Sequence, residues 1–151
     1  MIRLSKKSLL ALEAVVDIAY NARPEPVQSR EITERQGIPQ RYLEQVMQQL
    51  VRAGILRGVR GPRGGYRLAR ERRRITAGEI VRVVSELEQK EELALNGAGS
   101  ELGAKVVRPL LADIEEALMQ RLDRVTIEEL CRAAEEQGIE SAQNVKLDFT
   151  I

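Results

Sequence analysis

The stretch PQRYLEQVMQQLVRAGILRGVRGPRGGYRLA, residues 39–69, changes its period halfway along. In its first half Leu43, Val46, Met47 and Leu50 recur at three- and four-residue spacing, which places them on one face of a helix. Pro39 opens that helix at a position where a missing N–H costs nothing, and Gly54 closes it. In the second half, residues 55–60 and 65–69 read as two short strands. GPRG joins them as a tight turn, with Pro62 at its second position and Gly64 at its fourth.

Working outward, residues 5–21 predict a first helix through Leu9, Leu12, Val15, Val16 and Ala19. A proline-containing loop follows. Residues 29–36 predict a short second helix, with Ser29 as N-cap and Gly37 as its stop. Three helices followed by a hairpin are the layout of a winged helix-turn-helix. Beyond the hairpin, Thr76 and Glu79 form a capping box for a fourth helix with Ile80, Val83, Val84 and Leu87 on one face. After a glycine-rich break, residues 100–122 predict a longer helix, kinked or broken at Pro109. Thr126 and Glu129 cap a last helix that ends near Gly138. The alternation of Val145, Leu147, Phe149 and Ile151 reads as a C-terminal strand. The expected fold is therefore mainly α. A winged helix-turn-helix over residues 1–75 precedes a helical dimerisation and regulatory region over residues 76–151, which holds a long dimerisation helix and a short C-terminal strand.

The charge follows the same division. Residues 1–75 carry 16 lysines and arginines against 7 acids, a net +9; residues 76–151 carry 8 against 16, a net −8. The chain's formal charge of +1 hides this split. A basic half suits a polyanion, and an acidic half does something else. Seven arginines fall within residues 58–74 alone, interleaved with glycines and Tyr66. Arginines on a wing serve to meet phosphate oxygens and a minor groove, and glycines let the backbone approach closely. On the helix of residues 39–54, the face opposite the apolar stripe carries Arg41, Gln45, Gln48 and Arg52. Arginine and glutamine are the side chains that read guanine and adenine edges.

The composition excludes several classes. There is no histidine and a single cysteine, Cys131, so no intramolecular disulfide, histidine triad or histidine metal site can form. No paired-carboxylate pocket or lysine-terminated phosphate loop appears, and the protein is not expected to be an enzyme. No apolar run reaches the ~20 residues needed to span a bilayer. Glu13 and Asp17 interrupt the apolar N-terminal stretch, so it is not a secretion signal, and the expected location is cytoplasmic. Cys131 sits among Glu128, Glu129 and Glu135, which raise a thiol's pKa. It is expected to be a core or interface residue, with redox sensing as the alternative. Leu102, Val106, Leu110, Ile114 and Leu118 form a stripe along the long helix with no intrachain partner of equal length. This predicts a homodimer that presents two recognition helices, about one DNA turn (~34 Å) apart, to an inverted repeat.

The segments EITERQGIPQRYLEQVMQQLVRAGIL, VRGPRGGYRLA and ITAGEIVRVV together resemble the Rrf2 family of winged-helix regulators (IscR/NsrR/CymR-like), continuously over residues 1–86 and more loosely through VTIEEL. The resemblance implies a homodimeric DNA-binding transcription factor, usually a repressor, with residues 39–52 as recognition helix. By that match Gln40, Arg41, Tyr42, Glu44, Gln45 and Gln48 are candidate DNA contacts, and Arg60 corresponds to the wing arginine used in the minor groove. Arg63 is a candidate phosphate contact, as are Lys6 and Lys7 near the N-terminus; Ser29, Arg52, Gly65 and Tyr66 complete the expected DNA-binding set. Iron–sulphur members of the family carry three cysteines after the fourth helix. Here that loop, residues 89–107, has neither cysteine nor histidine, and Glu91, Glu92 and Glu101 are poor substitutes, so no cluster and no other cofactor is expected. The likeness is to the cluster-free, CymR-like branch, which implies control of cysteine, sulphur or iron–sulphur metabolism genes and a partner enzyme of cysteine synthesis. The alternatives are a protein-interaction module that docks a sulphur-metabolism enzyme, and a thiol sensor acting through Cys131.

Overall fold

The computed structural model describes residues 4–92 and 99–142, with the backbone alone for 87–92. Helix α1 (Lys6–Tyr20) is followed by α2 (Ser29–Gln36), α3 (Gln40–Arg52), strands β1 (Leu56–Val59) and β2 (Gly65–Leu68), and a 3₁₀ turn (Arg72–Arg74). Helices α4 (Ala77–Glu92), α5 (Arg108–Leu122) and α6 (Ile127–Glu136) complete the order. The C-terminal strand expected over Val145, Leu147, Phe149 and Ile151 lies outside the described residues.

Helix α1 is the hub of the core. Ala11, Ala14, Val15, Ile18 and Ala19 are buried on it, and α2, α3, α4 and α6 all pack around it. Helical spacing alone pointed to a neighbouring stripe. Leu9 is 55% exposed, and small alanines take the inner positions, where several helices approach at once. The stripe of α3, Leu43, Val46, Met47 and Leu50, is buried as expected. Ile80, Val84 and Cys131 are buried as well, joined in the same cluster by Ile75 and Ile127. Each fully buried Leu or Ile side chain contributes about 1.5–3 kcal/mol.

Local signals set the helix ends. Ser5 caps α1 and Thr126 caps α6, each accepting from the backbone N–H three residues on. Thr76 does the same for α4 through the N–H of Glu79, but the Glu79 carboxylate turns away to Arg70, so only half of the expected box forms. At α2 the expected cap is displaced by one residue. Gln28 is the N-cap and Ser29 the first helical residue, because the Glu31 carboxylate accepts the Gln28 N–H at 2.8 Å. The expected break at Pro109 takes the form of a π-helical turn, Gly103–Val107, leading into α5. Proline has no N–H and its ring crowds the carbonyl four residues back. Widening the turn makes room, and the Arg108 N–H bonds to Gly103 instead.

The hairpin is antiparallel, with Leu56 opposite Leu68 and Val59 opposite Gly65. Its turn closes with the Gly64 N–H on the Gly61 carbonyl at 2.9 Å, and Gly61 has φ 111°, a conformation that favours glycine. The α1–α2 loop adds a third rung. Val27 and Tyr66 exchange both backbone hydrogen bonds, at 3.0 and 2.7 Å.

Candidate nucleic-acid interface

Helix α3 presents a polar face beside the hairpin. Gln40, Arg41, Glu44, Gln45, Gln48 and Arg52 are all exposed, and Arg41 and Arg52 have no ion-pair partner among the described residues. Gln40 and Glu44 approach each other at 3.4 Å. Tyr42 is different. It is half-buried, packs against the core and lies under Lys7, whose Nζ is 5.9 Å from the ring centroid. Its ring is placed to hold the Lys7 ammonium over its face. Lys6 is exposed one residue earlier.

The arginine-rich segment divides by partner. Arg60 and Arg63 at the hairpin tip are exposed and have no ion pair among the described residues. Arg67, on β2, points back and donates to the Arg23 and Pro24 carbonyls, pinning the hairpin to the α1–α2 loop. Arg70 pairs with Glu79 at 2.8 Å, Arg72 with Glu128, and Arg73 with Glu71 at 2.6 Å. Three of the seven arginines are therefore neutralised within the fold, and a fourth is engaged by backbone carbonyls.

Gly65 and Tyr66 build the wing from inside. A Cβ on Gly65 would stand 2.3 Å from the Val27 carbonyl oxygen, so only glycine allows the third rung to close. Tyr66 is half-buried on the core. Between the wing and the start of α2 lies a concave surface of about 1060 Å³, bordered by Ser29, Arg30, Val59 and Arg60. The positive end of the α2 dipole faces this surface. Sequence reasoning passed over Arg30, whose side chain is 80% exposed and stands 3.9 Å from the Glu34 carboxylate. Nothing in its local sequence distinguishes it from the other charges of α2.

A network of ions fixes α2 in place. The Asp17 carboxylate, wholly buried, accepts two hydrogen bonds from Arg35 and one from the Gln36 amide, each 2.8 Å. Removing Arg35 would leave the buried Asp17 carboxylate without its charged partner, a destabilising loss. Glu31 accepts from Arg23 at 2.6 and 2.7 Å. Burial pushes the Glu31 carboxyl up, but the Arg23 hydrogen bond, the Gln28 N–H and the charges of Arg23 and Arg35 outweigh it and hold the group below the ordinary carboxylate range. Wing, loop, α2 and α1 are thus joined in one chain: Arg67 to the loop, Arg23 to Glu31, and Arg35 to Asp17.

The stretch from Leu102 through the π-helical turn into α5 carries an apolar stripe that is exposed among the described residues. Leu102 is 67% exposed, Val106 and Leu110 59% each, and Ile114 56%; Val107 and Leu111 widen the stripe. Leu118 leaves it, being half-buried beside the buried Met119, where α5 meets the rest of the fold. No helix of the described residues is long and apolar enough to cross a membrane.

Three helices with the third presenting an exposed polar face, and a hairpin whose tip arginines have no ion pair among the described residues, define a winged-helix DNA-binding protein. The comparisons with known proteins agree. Residues 4–133 match the model of the Rrf2 family, described as iron-dependent transcriptional regulator. The chain is 32% identical over 150 residues to the HTH-type transcriptional regulator IscR of Vibrio campbellii, covering 98% of this chain and 88% of that one. Among solved structures, T. potens IscR superposes with a TM-score of 0.71 at 32% identity, covering 92% of this chain and 93% of the other. CymR, the global cysteine regulator of B. subtilis, superposes at 0.68 and 30%, covering 88% and 98%. The protein belongs to the Rrf2 family of transcriptional regulators, and its relatives are regulators rather than enzymes.

The family description names iron, and the donor set here does not fit an iron–sulphur cluster. Such clusters need thiolates, with imidazole as the common replacement. The sequence has one cysteine and no histidine, and Cys131 is 2% exposed in the core. Among the described residues no three His, Cys, Asp or Glu side chains converge. Burial pushes the Cys131 thiol up; Arg72 opposes this in part and Glu128 adds to it, leaving the pKa raised. Less thiolate is then present at neutral pH. Iodoacetamide is expected to label Cys131 slowly in the native protein and rapidly once it is unfolded. Fast native labelling that also changes DNA affinity would establish a sensor thiol.

Proposed function

We propose that the chain is a homodimeric, sequence-specific DNA-binding repressor that recognises an inverted-repeat operator and works in the cytoplasm. The observation that carries this reading is the exposed polar surface of α3 beside the exposed arginines of the wing tip, set against the exposed apolar stripe that runs from Leu102 into α5. In it, residues 1–75 grip DNA and residues 76–151 pair the protomers. Gln45, Gln48 and Arg41 read base edges, with Gln40, Glu44 and Arg52 flanking them. Arg60 enters the minor groove. Arg63, Lys6, Lys7, Ser29 and Arg30 meet phosphates, while Tyr42, Gly65 and Tyr66 hold these groups in position. Leu102, Val106, Leu110 and Ile114 form the dimer seam. Likeness to a cysteine regulator supports genes of cysteine, sulphur or iron–sulphur metabolism as targets, with an enzyme of cysteine synthesis as partner.

Selection of bound duplexes from a random pool tests the reading and should return symmetric half-sites. On the selected operator, Gln45→Ala is expected to cost about 1–3 kcal/mol at particular base pairs while leaving non-specific binding unchanged. Arg60→Ala is expected to weaken operator binding. Wild-type affinity in both variants would place the reading surface elsewhere.

A further inference from the structure

A second cavity lies on the side of the protomer formed by α1 and α6, with a volume of about 680 Å³. That is within the range of pockets that enclose small organic molecules. Leu12 and Val16 of α1 and Leu130, Ala133 and Ala134 of α6 line it, with Ile139 at the edge. The rim is built. Tyr20 donates to the Ile139 carbonyl, and the Ala142 N–H donates to the Asn21 side chain at 2.9 Å, so the segment after α6 is fastened back onto α1.

The polar groups of the lining decide what would fit. Asp17, Arg35, Tyr20 and Asn21 are engaged with one another or with backbone. Glu13 and Glu140 are not: neither has a hydrogen-bond or ion-pair partner among the described residues. In all, three carboxylates (Glu13, Asp17 and Glu140) face one guanidinium, Arg35. An apolar chamber with a net negative wall complements an organic cation with an apolar body, and repels the corresponding anion.

We propose that this cavity binds a hydrophobic organic cation as effector, coupled to the DNA-binding surface through the Asp17–Arg35 clamp. Asp17 and Arg35 both line the chamber, and Arg35 and Gln36 fasten the end of α2 to α1. A cation in the chamber repels the Arg35 guanidinium, which lines the same chamber, and so weakens its hold on the buried Asp17 carboxylate. The clamp loosens, and with it α2, whose other end carries Ser29 and Arg30 toward the wing. Occupancy therefore weakens operator binding, a coupling that rests on the DNA-binding reading above.

Calorimetric titration of the full chain without DNA tests the cavity, with tetraphenylphosphonium as probe and tetraphenylborate as its anionic isostere. The cation is expected to bind once per protomer and roughly tenfold more tightly than the anion. Ala133→Trp, which fills the chamber, should abolish binding. The isosteric pair Glu13→Gln and Glu140→Gln, which leaves the core intact, should remove the preference for the cation. Coupling is read separately as a fall in operator affinity of about fivefold or more on adding the cation. Equal binding of both ions, or binding untouched by the variants, overturns the proposal. So does affinity that falls as protein concentration rises, which would show a second copy seated there, or proton contacts between Phe149 and Leu130 in the free protein, which would show the chain's own tail there. Binding of the cation without any effect on operator affinity overturns the coupling. Failure of the wild type to select any operator would strike the DNA-binding reading and leave the ligand titration as an independent result.

Discussion

Leu110→Glu combined with Ile114→Glu is expected to yield a folded monomer that has lost specific DNA binding. Both side chains are more than half exposed in the protomer, so replacing them leaves the core untouched, and the melting temperature should move little. Two charges placed in an apolar seam cannot be solvated when the seam closes, and each carboxylate would have to neutralise or stay in water. Sedimentation should show the wild type as a dimer and the variant as a single protomer. Operator affinity should fall by about 10³-fold or more, because a lone protomer reaches one half-site and keeps little beyond the non-specific term. A variant that remains dimeric, or binds the full operator normally, would show that α5 is not the seam.

The second large effect is electrostatic. With about 6–10 phosphates neutralised by the dimer, operator affinity should drop ~10³–10⁵-fold between 50 and 200 mM salt. Arginines of the same segment should then behave in two ways. Arg60→Ala and Arg63→Ala, which remove unpaired charges at the wing tip, should each lower the salt slope by about 0.9 for every phosphate no longer neutralised. Arg70→Ala and Arg72→Ala should leave the slope unchanged, because those guanidinium groups are already engaged by Glu79 and Glu128. Measuring affinity against salt for the four variants separates the groups. An equal change of slope in all four would mean that the ion pairs open on DNA.

Much of the architecture was legible because it follows from short-range rules. The period of Leu43, Val46, Met47 and Leu50, the prolines and glycines at turns, and Thr76 and Thr126 ahead of their helices act over three or four residues, and the helices and hairpin formed where those signals stand. Where a feature depended on what came near from elsewhere, the reading slipped. Leu9 satisfies helical spacing yet lies outside, because the other helices approach α1 from the side of its alanines. Ser29 is a better cap by type than Gln28, but Glu31, already held by Arg23, captures the Gln28 N–H and moves the start by one residue.

The candidate site divides in the same way. By itself the sequence determined the three-helix and hairpin order, the basic and acidic halves, the polar stripe of α3, and a donor set too poor for an iron–sulphur cluster. Composition and periodicity are properties of the chain and need no partner. Only the tertiary structure decided which arginines stand without an ion pair among the described residues, that Tyr42 and Tyr66 pack against the core, and that a chamber opens between α1 and α6. Whether a charge is available depends on which acid the fold brings within a few ångströms of it, and Arg72 meets Glu128 across 56 residues of chain.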